Sequence, residues 1–224
     1  TLFCAVNYGL CPPLKDMEPL IRTGEEVSAS GASEGGFDVG YDQFVFHQNR
    51  AAAAIVRGEP AVAEAVCREL LAVPQNAWRP RMTARTRCYL GRALHLQGKR
   101  ADALKELEAA ARAHERERMW GDMAVHSLPL RVLLAEDREE AKAAVSRAEE
   151  ICRRLKNSLG LAKLLCVKAR RLNTGEDRDE ILRLFSEVSA LSDCPVAAQV
   201  AGEWDAWVAG STDGSGPDNY WNVF

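Results

Sequence analysis

The run Leu90, Gly91, Leu94, Gly98, Ala103, Leu107, Ala110 sets a large-small pair, a turn glycine, and then small and large residues at helical spacing. Much of it recurs forty residues earlier as Ala51, Ala54, Gly58, Ala63, Cys67 and Leu70. Toward the C-terminus the pattern fades, yet Ala141, Val145 and Ala148, then Ile181, Phe185 and Val188, fill the same second-helix slots. The equivalent positions Ala63, Ala103, Ala141 and Ile181 are 40, 38 and 40 residues apart. A lone helical hairpin has no partner for its apolar face, so a period in this range predicts hairpins stacked in series rather than one closed core.

Composition narrows the class. With 224 residues, 47% hydrophobic and 27% charged, the chain has enough apolar material to rule out wholesale disorder. A net charge of -3 gives no electrostatic case for nucleic acid, and none is expected as a partner. Seven cysteines, at 4, 11, 67, 88, 152, 166 and 194, are odd in number, scattered, and contain no C-x-x-C pair. They read as reduced thiols of an intracellular, cytoplasmic protein, with Cys67 and Cys88 acting as small apolar side chains at core-facing helix slots. No stretch approaches the roughly 20 apolar residues of a membrane span. The opening segment lacks the basic start and apolar length of a signal peptide, and a first residue of Thr1 points to a processed product or a fragment.

Three regions are expected. Residues 1–40 read as an irregular segment that ends in a Ser/Gly-rich loop. Residues 41–209 carry the helical repeats, with hairpins over 41–57 with 60–72, 80–96 with 100–117, and 119 onward with 138–155. Pro60 sits early in its helix, where a missing N–H is harmless, and Pro129 is expected to kink its helix or shift the boundary. A fourth pair is expected over 159–172 and 179–191, and a capping helix from Cys194-Pro195 to 208. Residues 210–224 divide into a Gly/Ser linker and an aromatic tail.

The unit from Ala84 to Glu117 resembles a tetratricopeptide repeat. Leu90-Gly91 stands at that family's Leu-Gly pair, Gly98 at its turn, and Ala103, Leu107 and Ala110 at its second-helix pattern. There are departures: Arg87 stands where tryptophan is common, Leu94 replaces an aromatic, Glu115 replaces the closing proline, and the period exceeds the usual 34. The resemblance implies an all-α, right-handed superhelical solenoid of about four antiparallel hairpins plus a C-terminal capping helix. It also implies a binding scaffold whose first helices line a concave groove, with no catalytic role of its own.

Motifs for phosphate loops, dinucleotides, zinc proteases and nucleophile elbows are absent, so no catalytic residue, cofactor or metal is assigned. His95 and Cys88 share a helix face, but two ligands do not make a metal site. The candidate peptide-binding residues are Arg85, Cys88, Arg92 and His95, spaced 3, 4 and 3 apart on one helix face, with Arg81 and Asn49 extending the stripe. Guanidinium forks there suit acidic groups or a terminal carboxylate of a protein or peptide partner. Some members of the resembled family clamp a C-terminal carboxylate with lysine and asparagine. This chain lacks that full set. Trp204 and Trp207 on the last helix, and Tyr220, Trp221 and Phe224 in the tail, are candidates for docking on a partner, on the chain itself, or on a second copy in a homo-oligomer. Two other roles stay open: a peptide-responsive sensor within a larger regulatory protein, and a structural subunit of a large assembly.

Overall fold

The computed structural model describes residues 39–72 and 79–157, together with the single positions 22, 160, 161, 164, 168 and 183. Every regular element among the described residues is helical. Helix α1 (Val39–Val56) pairs with α2 (Pro60–Ala72), and α3 (Arg79–Leu96) with α4 (Arg100–Arg116). The third pair joins α6 (Arg138–Arg154) to α5, a continuous helical run made of Trp120–Asp122, a π-turn at Met123–Ser127, and Leu128–Leu134. Apart from the single positions above, the fourth hairpin, the capping helix and the tail, with Trp204, Trp207, Tyr220, Trp221 and Phe224, lie outside the described residues.

Four helices stop in the same way. After α1 and α3, Gly58 and Gly98 take φ of +74° and +75°, a left-handed conformation in which a Cβ is strained. Their N–H groups donate three residues back, to Ile55 O and His95 O, and the next N–H groups donate five back, from Glu59 to Ala54 O and from Lys99 to Leu94 O. This is the Schellman closure, which satisfies carbonyls that a helix end leaves open. After α4 and α6 the same two bonds form around Arg118 and Lys156, at φ of +54° and +51°. The α4–α5 turn between hairpins is therefore as tight as the turns within the first two hairpins. The α5–α6 connection differs: Asp137 caps α6 by accepting from Glu140 N at 2.8 Å.

Each helix packs on the next in sequence, and α1 also contacts α3, as α3 contacts α5. One core runs through these contacts, including Ile55, Ala63, Cys67, Leu90, Leu94, Ala103, Leu107, Leu130 and Leu134. The small residues of the repeat allow the close approach. A Cβ on Gly91 would stand 3.0 Å from Leu130 Cδ2 and 3.3 Å from the Ala103 carbonyl oxygen. Arg87, at the position where the resembled family favours tryptophan, instead ties α3 to α4 through Glu106 at 2.5 Å.

Pro129 does not interrupt the helical run of α5, but an element boundary falls beside it: the π-turn ends at Ser127 and the proline stands in the first turn of Leu128–Leu134. Its ring crowds the carbonyl four residues back and it offers no N–H in return. The chain accommodates this by widening: Leu128 N–H donates to Met123 O, five residues back, and backbone angles stay right-handed helical from Asp122 to Leu128. In an α-helix, residues five apart lie about 140° apart around the axis. The i→i+5 closure of a π-turn brings them close to one line, so Asp122 and Ser127 both face the α3–α4 hairpin.

Candidate functional site

The arginine stripe of α3 meets that face of α5. Arg85 Nη2 donates to Asp122 Oδ1 at 2.9 Å, and Arg81 Nε pairs with Asp122 Oδ2 at 2.7 Å. Both carboxylate oxygens are thus taken by guanidinium groups one helical turn apart. Arg81 remains 57% exposed at the rim, while Arg85 is only 12% exposed. Deeper in, Cys88 Sγ lies 3.8 Å from Ser127 Oγ, and Ser127 Oγ lies 2.5 Å from His114 Nδ1 on α4. One polar seam therefore joins three helices.

The seam shifts its members' proton affinities. Burial holds His114 down at about 4, with Asp122 pulling the other way and Arg85 and Arg81 adding to the depression. The imidazole is neutral at pH 7. Burial pushes the Cys88 thiol up to about 12, with Ser127 and Arg85 opposing, and it pushes Cys67 up to about 12 and Cys152 to about 11. None of the three is a thiolate nucleophile at neutral pH.

Other residues of the sequence-derived stripe are also placed. Arg92 is buried and His95 half-buried farther along α3. Arg92 lines a shallow groove with Cys88, Tyr89, Val125, His126 and Leu130. Its free space is about 20 Å³, room for one water molecule. The Tyr89 and His126 rings meet edge to face there, with centroids 5.8 Å apart. Asn49 is buried on α1, where its neighbour Gln48 donates to Met82 O and to Thr86 Oγ1, both at 2.7 Å. Lys168 is buried as well. The structure brings Arg81, Arg85 and Cys88 together over Asp122 and Ser127, while His95 lies ten residues beyond Arg85 on α3 and Asn49 sits on α1.

A second, larger opening lies between α4, α5 and α6. Its volume is about 220 Å³, and its walls include Glu108, Arg112 and Glu115 from α4, Arg131 from α5 and Arg147 from α6, with Ser127 among the residues that line it. Periodicity does not reveal this opening, because its arginines come from three helices at unrelated spacings. The one usable signal was Pro129, whose neighbours include both Ser127 and Arg131.

Among the described residues no cluster of three or more His, Cys, Asp or Glu side chains is placed to hold a metal. No helix among them is long and apolar enough to cross a membrane. Comparison with known proteins finds no matching family model, no matching curated protein and no matching solved structure.

Proposed function

We propose that the chain is a tetratricopeptide-like solenoid, a non-catalytic scaffold that binds an acidic protein or peptide segment along the wall formed by α1, α3 and α5. The observation that carries this reading is the direct contact of α1 with α3 and of α3 with α5, which makes successive first helices into one continuous surface. In support, Arg81 offers an exposed guanidinium at the start of α3 on that wall, and the half-buried His95 stands at the other end of the same helix. Arg85 has a different part in the mechanism: held by Asp122, it fixes the angle of α5 against α3 and so the shape of the wall. Recognition then rests on rim charges, which act mainly on association rate and weaken with salt.

The test uses the full chain and a fluorescent peptide with several Asp and Glu residues. Arg81→Ala should weaken binding about threefold to tenfold and flatten its salt dependence, as expected for one exposed charge. Equal affinity in wild type and variant would remove Arg81 from the role.

A further inference from the structure

We propose that the groove between α4, α5 and α6 is a binding site for a phosphate monoester, separate from the α1–α3–α5 wall. Three arginines, Arg112, Arg131 and Arg147, line it, one from each of three helices. Donors converging from three sides match a tetrahedral oxyanion with several oxygens better than a planar carboxylate, which one arginine can hold bidentately.

Most of those donors are unspent. Each guanidinium carries five N–H groups. Arg147 gives one nitrogen to Glu115 at 2.7 Å, and Arg112 stands 3.6 Å from Glu108, a loose contact between side chains that are 71% and 56% exposed. Arg131, half-buried in the wall, pairs with no carboxylate among the described residues. The two glutamates limit how much negative charge the groove accepts, which favours a single monoester over a polyanion.

Ser127 supplies the neutral donor. Cys88 S–H donates to its Oγ, and His114 is neutral at pH 7 with one ring nitrogen hydrogen-bonded to the same oxygen and Nε2 buried without a partner. A buried N–H without an acceptor costs more than a bare ring lone pair, so the proton sits on Nδ1 and is donated to Ser127. Both Ser127 lone pairs are then used, and its hydroxyl proton turns toward the groove, where a phosphate oxygen accepts it. The volume of about 220 Å³ leaves space for the organic group of the ester.

The free metabolite and the phosphoserine side chain are two sources of this chemistry. We would titrate the full chain with inorganic phosphate, with glycerol phosphate, and with a capped phosphoserine peptide beside its unphosphorylated form. Amide shifts of Ser127, Arg131 and Arg147 would be followed by NMR, with acetate at matched ionic strength as control. Dissociation constants on the order of 1 mM or tighter are expected for the phosphates. Arg131→Gln should weaken them roughly tenfold or more, and Arg131→Lys should recover part of that loss. Arg112→Gln, at a more exposed position, provides a second variant with an expected loss of roughly threefold to tenfold. Tighter binding of glycerol phosphate or of the phosphopeptide names the source. Shifts that acetate reproduces, affinities unchanged in both glutamine variants, or no shift with any phosphate would overturn the site. None of these outcomes depends on Arg81.

Discussion

Helix α3 is joined to its neighbours by two unlike seams. Against α4, apart from the Arg87–Glu106 ion pair, it packs through what is missing: Gly91 has no Cβ to separate the Ala103 carbonyl from α3, and Leu90, Leu94 and Leu107 fill the groove beside it. Against α5 it also packs through polar atoms, the Arg81–Asp122–Arg85 clamp and the Cys88–Ser127–His114 chain. The first seam is sensitive above all to added or lost volume, and the second also to the loss of a hydrogen-bonding partner. Partners in the second seam are also geometrically specific, so it fixes the angle of α5 rather than only its proximity.

Breaking the polar seam should cost most. Asp122→Asn leaves two guanidinium groups facing each other with one of them nearly buried, and a loss of about 3 kcal/mol in unfolding free energy is expected. Urea denaturation would measure it; a loss under about 1 kcal/mol would place Asp122 among ordinary surface ion pairs.

Acid should separate the seams next. Unfolded, His114 takes its proton near 6.5, but in the fold it does so only near 4. Between those values the unfolded chain holds the extra proton, so stability is full above pH 6.5 and falls as pH drops toward 4. The loss between pH 7 and pH 4.5 should be about 2 to 3 kcal/mol. His47, also depressed by burial, adds in the same direction, so the part owed to the seam is the part that His114→Gln removes. Glu64 is held at about 2 by hydrogen bonds from Lys99, Arg68 and Gln97, and it contributes a further loss only below pH 4.5.

The apolar seam is challenged by Gly91→Ala. The new methyl meets backbone at 3.3 Å and Leu130 at 3.0 Å, so α4 and α5 must both yield. A cost of about 2 kcal/mol is expected, with the pH profile unchanged in shape.

How legible these seams were in the sequence follows from their chemistry. The small-large repeat around Gly91, Gly98 and Ala103 marks the apolar seam directly, because volume has to recur wherever helices approach closely. Expected boundaries for α1 to α4 and α6 agree with the structure within two residues for the same reason. The polar seam left no such trace. Periodicity places Arg85 and Cys88 on one face of α3, but it does not say whether that face meets a ligand or another helix, and Asp122 is 37 residues away. The tight ends at Arg118 and Lys156 were hidden too, since neither carries the glycine that usually marks a left-handed residue. Pro129 was visible, but its effect depends on whether the surrounding packing lets the helix widen.

The smallest expected effects concern those ends. Gly98→Ala should cost about 1 kcal/mol, whereas Arg118→Gly should be neutral or stabilising by up to about 1 kcal/mol, because the same left-handed position is filled by the wrong residue type. Paired thermal melts would show the opposite signs.

The claim on which the rest turns is that Arg85 and Asp122 act as one structural unit. A double-mutant cycle on unfolding free energy, with Arg85→Met, Asp122→Leu and the double variant, measures that directly. Each single change should cost about 3 kcal/mol and the double change far less than their sum, a coupling of about 2 kcal/mol or more. Additive costs, agreeing within about 0.5 kcal/mol, would contradict the polar seam and return Arg85 to the pool of ligand-facing charges.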